Sequence, residues 1–116
     1  MKVVRAVDLK NAHDVPAHYD MKSLDIHGTE PEGYHNILIL GLSQFLPGGG
    51  AEKGEIKADV IYYVLEGEMT VINNQGETVI GAGDSVRFEK NEVREIVNRG
   101  AMTAKMLVIA GLPKPI

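Results

Sequence analysis

Four histidines, His13, His18, His27 and His35, are the side chains here that most readily ligate a divalent metal. Their spacing gives no i, i+2 or i, i+4 pair, so no strand or helix face presents two of them together. A divalent metal held by His18, His27 or His35 is therefore the alternative reading, and surface or interface histidines the plain one. Cysteine is absent, which excludes disulfides, thiolate nucleophiles and zinc–thiolate sites. Ser23, Ser43 and Ser85 have no local histidine and carboxylate that would make one of them a nucleophile. Gly48-Gly49-Gly50 is glycine-rich, but no Lys-Ser/Thr follows it, so it is not a phosphate loop. Lys53, Glu55 and Lys57 alternate, which is the pattern of a strand's solvated face.

The elements that must position these residues read as short strands. Residues 37–46 are largely apolar and meet Pro47-Gly48-Gly49-Gly50, where a strand is expected to end in a loop. Val60–Leu65 is β-branched and aromatic, a strong strand signal. Runs at 68–72, 77–80, 85–88, 93–98 and 102–109 follow, separated by Glu66-Gly67, Asn73–Gly76, Gly81–Asp84, Glu89–Glu92 and Arg99-Gly100. Turn signals recur about every 8–12 residues and no helix period stands out, so an all-β sandwich or barrel is expected. Val3–Val7 and Leu24–His27 read as edge strands of an N-terminal arm over residues 1–36, with Glu30-Pro31-Glu32-Gly33 as a turn. The barrel is expected over 37–110. The tail 111–116, with Pro113 and Pro115, is expected to be extended.

Ile61, Tyr63 and Leu65 point opposite to Val60, Tyr62 and Val64, so this strand is apolar on both faces. The cover it needs would come from a second subunit, and a homodimer is expected, or else from the N-terminal arm. The 116 residues suit one domain, and 44% hydrophobic content supplies one core. The formal charge is −4, from 12 basic and 16 acidic residues, which gives no basic stripe for nucleic acid and no polybasic cluster for a membrane surface. The start, Met1–Arg5, lacks the apolar stretch of a signal peptide, and no apolar run approaches the ~18 residues of a spanning helix. A cytoplasmic protein is expected.

From Pro47-Gly48-Gly49 to Glu66-Gly67, and from Gly83-Asp84 to Asn98-Arg99-Gly100, the chain resembles the cupin superfamily, over roughly residues 40–110. The family's first motif is a glycine, an H-x-H pair, a glutamate and a closing glycine. Its second is a glycine, a P-x-G, a histidine and an asparagine. Gly67, Gly83, Asp84 and Asn98 fall in place. The fold implied is a double-stranded β-helix, the jelly-roll barrel, as in small single-domain members. The ligand positions have changed. The glutamate falls on Val60, the last histidine on Arg94, and the proline and glycine on Glu89 and Asn91. The H-x-H pair falls on Lys53 and Glu55, or on Gly54 and Ile56 if the spacer is one residue shorter. Under either register at most one oxygen ligand survives, and Arg94 puts a cation where the metal would sit. No metal cofactor is expected.

The resemblance places Arg94, Tyr62, Glu55 and Asn98 in the pocket. A guanidinium inside a barrel must be paired or must bind something. Two readings of Arg94 stand: it clamps the carboxylate or phosphate of a ligand, or it forms an internal salt bridge to Glu55. Tyr62 either donates to a ligand or packs in the core with its hydroxyl at the rim. Arg87 reads as a surface residue, with a pocket role as the alternative. The function implied is a metal-independent barrel that binds a small polar or anionic organic molecule, in a binding or accessory role. The rival readings are an isomerase, epimerase or cyclase, a metal-dependent dioxygenase with displaced histidine ligands, and a purely structural dimerisation domain.

Overall fold

The inward and outward alternation of eight strands builds this protein, whose computed structural model describes residues 1–28 and 39–111. The strands are β1 (His18–His27), β2 (Ile39–Glu55), β3 (Val60–Glu66), β4 (Glu68–Asn73), β5 (Gly76–Gly81), β6 (Ser85–Phe88), β7 (Val93–Val97) and β8 (Ala104–Ala110). All their pairings are antiparallel. Among the described residues the only helix is one 3-10 turn, Ala6–Asp8. The expected edge strand at Val3–Val7 is therefore not formed, although the strand expected at Leu24–His27 is, and it begins earlier, at His18. The turn expected at Glu30–Gly33 and the tail at 112–116 lie outside the described residues.

β2 is the shared wall. It pairs with β8 through Ile39–Phe45 and with β7 through Gly50–Glu55, while β1 runs along its other edge. From β8 the sheet continues to β3 and β6, and from β7 to β4 and β5. One long strand thus feeds both halves of a jelly-roll barrel, the fold class expected from the sequence.

The strand does not stop at Pro47–Gly50, as expected, but runs through it. The glycines are there because backbones meet, as well as for the bend. Gly48 has φ +87°, and a Cβ on Gly50 would collide with the carbonyl oxygen of Ile96. A side chain at Gly50 would force β2 away from β7, and the crossing between the two halves would open.

Along β3, Val60, Tyr62 and Val64 are buried while Ile61, Tyr63 and Leu65 are exposed. The inner residues join Phe45, Met69, Ile96 and Met106 in one core. Burying each large apolar side chain contributes about 1.5–3 kcal/mol. The outer residues fall into rows. Leu24, Leu42, Leu107 and Tyr63 stand opposite one another across β1, β2, β8 and β3, and Leu40, Ile109 and Ile61 form a second row beside them. An apolar band therefore crosses four strands on the outside of the barrel.

Candidate functional site

Arg94 lies on β7 directly opposite Gly54, so the two share a face. Ala51 and Gly54 are successive partners of β7 with a register shift between them, a bulge at Glu52-Lys53. The extra residue turns Ile56 into the core and leaves Lys53 and Glu55 exposed. The inward pair is thus Gly54 and Ile56, which decides between the two registers.

The bulge also frees the Glu52 carbonyl from the ladder, and Arg94 Nη1 donates to it at 3.2 Å. Arg94 Nε donates to the Tyr62 hydroxyl at 3.1 Å. Tyr62 is 5% exposed, and its ring meets Phe88 at 5.9 Å between centroids, tilted by 60°. Its oxygen accepts from Arg94, so its own O–H is left to donate elsewhere.

The salt bridge to Glu55 is not formed. Glu55 is exposed, stands opposite Val93, and does not line the pocket. Among the described residues Arg94 has no carboxylate within salt-bridge distance. Arg87 is on the surface, 3.7 Å from Glu89. Asn98 is fully buried and also absent from the pocket wall: Nδ2 donates to the carbonyls of Phe45 at 3.1 Å and Met102 at 2.8 Å, while Oδ1 accepts from Gly100 N–H at 2.9 Å. It is a fastener of the chain rather than a pocket residue.

Arg94 and Tyr62 open into a cavity of about 240 Å³ walled by Phe45, Ile96, Met106 and Val108. Three polar residues of β1 also line it: His18, Ser23 and Asp25. Sequence reasoning did not assign these to a pocket. The signal available was the alternation of Ser23 and Asp25 with Leu24 and Ile26, which marks a strand with one polar inner face.

His18 is half-buried, and its Nδ1 lies 2.8 Å from the Pro16 carbonyl. A carbonyl only accepts, so Nδ1 carries the proton and Nε2 the lone pair. Burial, and then the Arg94 charge, hold the imidazole pKa below its ordinary value, against the Pro16 carbonyl and Glu52, which raise it. His13 contacts Asp25 from outside, Nε2 to Oδ1 at 3.1 Å. Its pKa is raised by the Asp14 carbonyl first and by Asp25 next. That contact is therefore an ion pair only while His13 is protonated, and it weakens as pH rises through the His13 pKa. Among the described residues no three histidines, aspartates or glutamates converge as metal ligands. His27 ends β1, opposite Leu40, and His35 lies outside the described residues. Among the described residues no helix is long and apolar enough to cross a membrane.

Residues 42–110 match the Cupin domain family. The chain is 36% identical over 113 residues to Beta-D-galactosidase Rv1717 of Mycobacterium tuberculosis, an alignment spanning 97% of this chain and 96% of that protein. Among solved structures it resembles the polyketide cyclase RemF of Streptomyces resistomycificus, with a TM-score of 0.82 at 23% identity over 100% of this chain and 82% of that one. It also resembles a predicted oxalate decarboxylase of Thermotoga maritima, with a TM-score of 0.77 at 22% identity over 97% and 100% of the two chains. At such identities the two structures speak for the fold.

Proposed function

Because the chain belongs to the Cupin domain family, we propose that it is a metal-independent cytoplasmic member whose barrel binds a small polar or anionic organic molecule, in a binding or accessory role. One observation carries this reading. The Arg94 guanidinium opens into the cavity, and among the described residues its partners are a hydroxyl and a carbonyl. Among the described residues no carboxylate lies within salt-bridge distance of this cation, and a planar fork suits a carboxylate or phosphate. Metal independence rests on chemistry: Gly54, Ile56, Val60 and Arg94 at the four motif positions supply no ligand.

Calorimetric titration with small carboxylates and sugar phosphates tests the binding. At least one should bind, and its neutral amide or dephosphorylated counterpart should bind at least tenfold more weakly. Equal affinity for charged and neutral members would remove the anion from the proposal. Elemental analysis of untagged protein should find well below one divalent transition metal per chain, and a near-stoichiometric metal would overturn that part.

An enzyme reading is favoured by the relative named a β-D-galactosidase. Glycoside cleavage ordinarily uses two carboxyl groups flanking the bond. Among the described residues the pocket brings one, Asp25. Turnover of o-nitrophenyl β-D-galactoside that is lost in Asp25→Asn would replace the binding role with that activity.

We also propose that a second copy of this chain covers the outer apolar band. At ~4.8 Å between strands the band is about 14 Å across from β1 to β3, counted between strand axes. With Ile61, Tyr63 and Leu65 each about two-fifths exposed, it suits face-to-face sheet packing with an identical patch about a two-fold axis. Light scattering at micromolar concentration should return twice the 12.6 kDa chain mass. Tyr63→Lys should shift that toward the monomer, and a wild-type monomer would defeat the proposal.

A further inference from the structure

The pocket holds more than an anion clamp needs. His18 on β1, Arg94 on β7 and Tyr62 on β3 all line it, and β1 and β7 flank the same stretch of β2, where His18 and Ile96 both pair with Ala51. We propose that His18 is the proton acceptor of this pocket, so that the protein carries out acid–base chemistry on a substrate whose developing negative charge lies on an oxygen held by Arg94 and Tyr62. The substrate class is a carbon or oxygen acid bearing a carbonyl, carboxylate or phenolic oxygen. This rests on the reading of Arg94 and Tyr62 as the anion-binding edge.

Two features of His18 carry the inference. The Pro16 carbonyl fixes the tautomer, because Nδ1 must donate to it at 2.8 Å, which puts the lone pair on Nε2. The ring is half-buried, where the neutral form is favoured, and the Arg94 charge adds to that preference. A neutral imidazole with one nitrogen anchored and the other open is the state a general base needs at neutral pH. Arg94 and Tyr62 supply the complement: Arg94 has N–H groups beyond the two it uses, and the Tyr62 O–H is available to donate. As a proton leaves the substrate for Nε2, the electron pair it leaves behind is drawn to an oxygen that these donors stabilise. Glu52 on the bulge is the carboxylate whose charge acts on His18, and it opposes the Arg94 effect on its titration.

The probe is 5-nitrobenzisoxazole, which needs only a base and an oxyanion site. Nε2 of His18 takes the C3 proton and the C–H electron pair becomes part of the nitrile. The N–O bond breaks with its electrons on oxygen, and coloured 2-cyano-4-nitrophenolate leaves. The histidine then returns its proton to water. Wild-type protein should exceed His18→Ala by on the order of tenfold or more, with a rate that rises through an inflection below the ~6.5 of an ordinary imidazole. Free imidazole should restore much of the rate to His18→Ala, which a merely structural histidine would not allow. His18→Gln should be as slow as His18→Ala. A variant as fast as wild type, or an inflection at or above the ordinary value, overturns the proposal. The carboxylate titration is run on the same preparations. Binding without His18-dependent elimination rejects the base alone, and loss of both rejects the anion site as well.

Discussion

Asn98→Ala is expected to destabilise the protein by about 3–4 kcal/mol, and Asn98→Asp by more at neutral pH. Asn98 sits where β2 crosses from one half of the barrel to the other. Its backbone N–H donates to the Gly49 carbonyl, and its own carbonyl accepts from Gly48 N–H, both at 2.7 Å. Its side chain ties Phe45 to Met102 and closes back on Gly100. Removing the amide leaves the Phe45 and Met102 carbonyls and the Gly100 N–H short of a partner, one of them in the core, and opens a small void. An aspartate is worse. It fills the space but sets an acceptor against two carbonyl oxygens, and it buries a charge at a position with 0% exposure. The folded-state carboxyl pKa would then lie above its unfolded value, so the penalty of Asn98→Asp relative to wild type should shrink as pH falls and the carboxyl gains a donatable proton. Urea unfolding across pH measures both. Wild-type stability in Asn98→Ala with weakened ligand binding would return Asn98 to the pocket wall and contradict the fastener role.

The same region marks how far the sequence could be read. Strand existence was legible, since β3 to β8 arise from period-two alternation broken by turn residues, and Val60, Tyr62 and Val64 point inward as their spacing required. The course of β2 was not. Pro-Gly-Gly-Gly is the same string whether the chain turns or whether two backbones press together, and only the position of Ile96 against Gly50 tells them apart. Parity along β2 was hidden for a related reason. One bulge at Glu52-Lys53 reverses every later side chain, which sends Glu55 out and Ile56 in. A second irregularity near Asp20, with φ +50°, lies in β1 between Tyr19 and Met21. Bulges depend on what the neighbouring strands demand, so no local residue pattern announces them. Arg94 was legible as a cation aimed inward, because it stands where the family motif carries a ligand. Its partners were not, since they come from β3 and from the bulge itself.

Those partners set the outcome of replacing it. Arg94→Met should lower the stability of the ligand-free protein by no more than about 1–1.5 kcal/mol, the net value of one or two hydrogen bonds. It should weaken binding of an anionic ligand by roughly 2–5 kcal/mol, or about thirtyfold to several thousandfold. The asymmetry follows because, among the described residues, no carboxylate is paired with Arg94. Had Arg94 been bridged to a buried glutamate, its removal would strand that charge and cost on the order of 3–5 kcal/mol before any ligand was added. Here the methionine leaves behind a tyrosine hydroxyl and a backbone carbonyl at an open cavity, where water can take up both. Arg94→Lys keeps the charge but not the planar fork, so it should bind carboxylates with intermediate affinity. A further readout lies at His18. The Arg94 charge depresses the His18 pKa, and without it that pKa should move up toward the ordinary imidazole value. Denaturant unfolding, calorimetric titration and NMR titration of the His18 ring measure the three effects in one set of proteins. Loss of several kcal/mol in ligand-free Arg94→Met would make Arg94 a structural cross-link. Unchanged affinity and an unmoved His18 titration would mean that the guanidinium does not face the ligand.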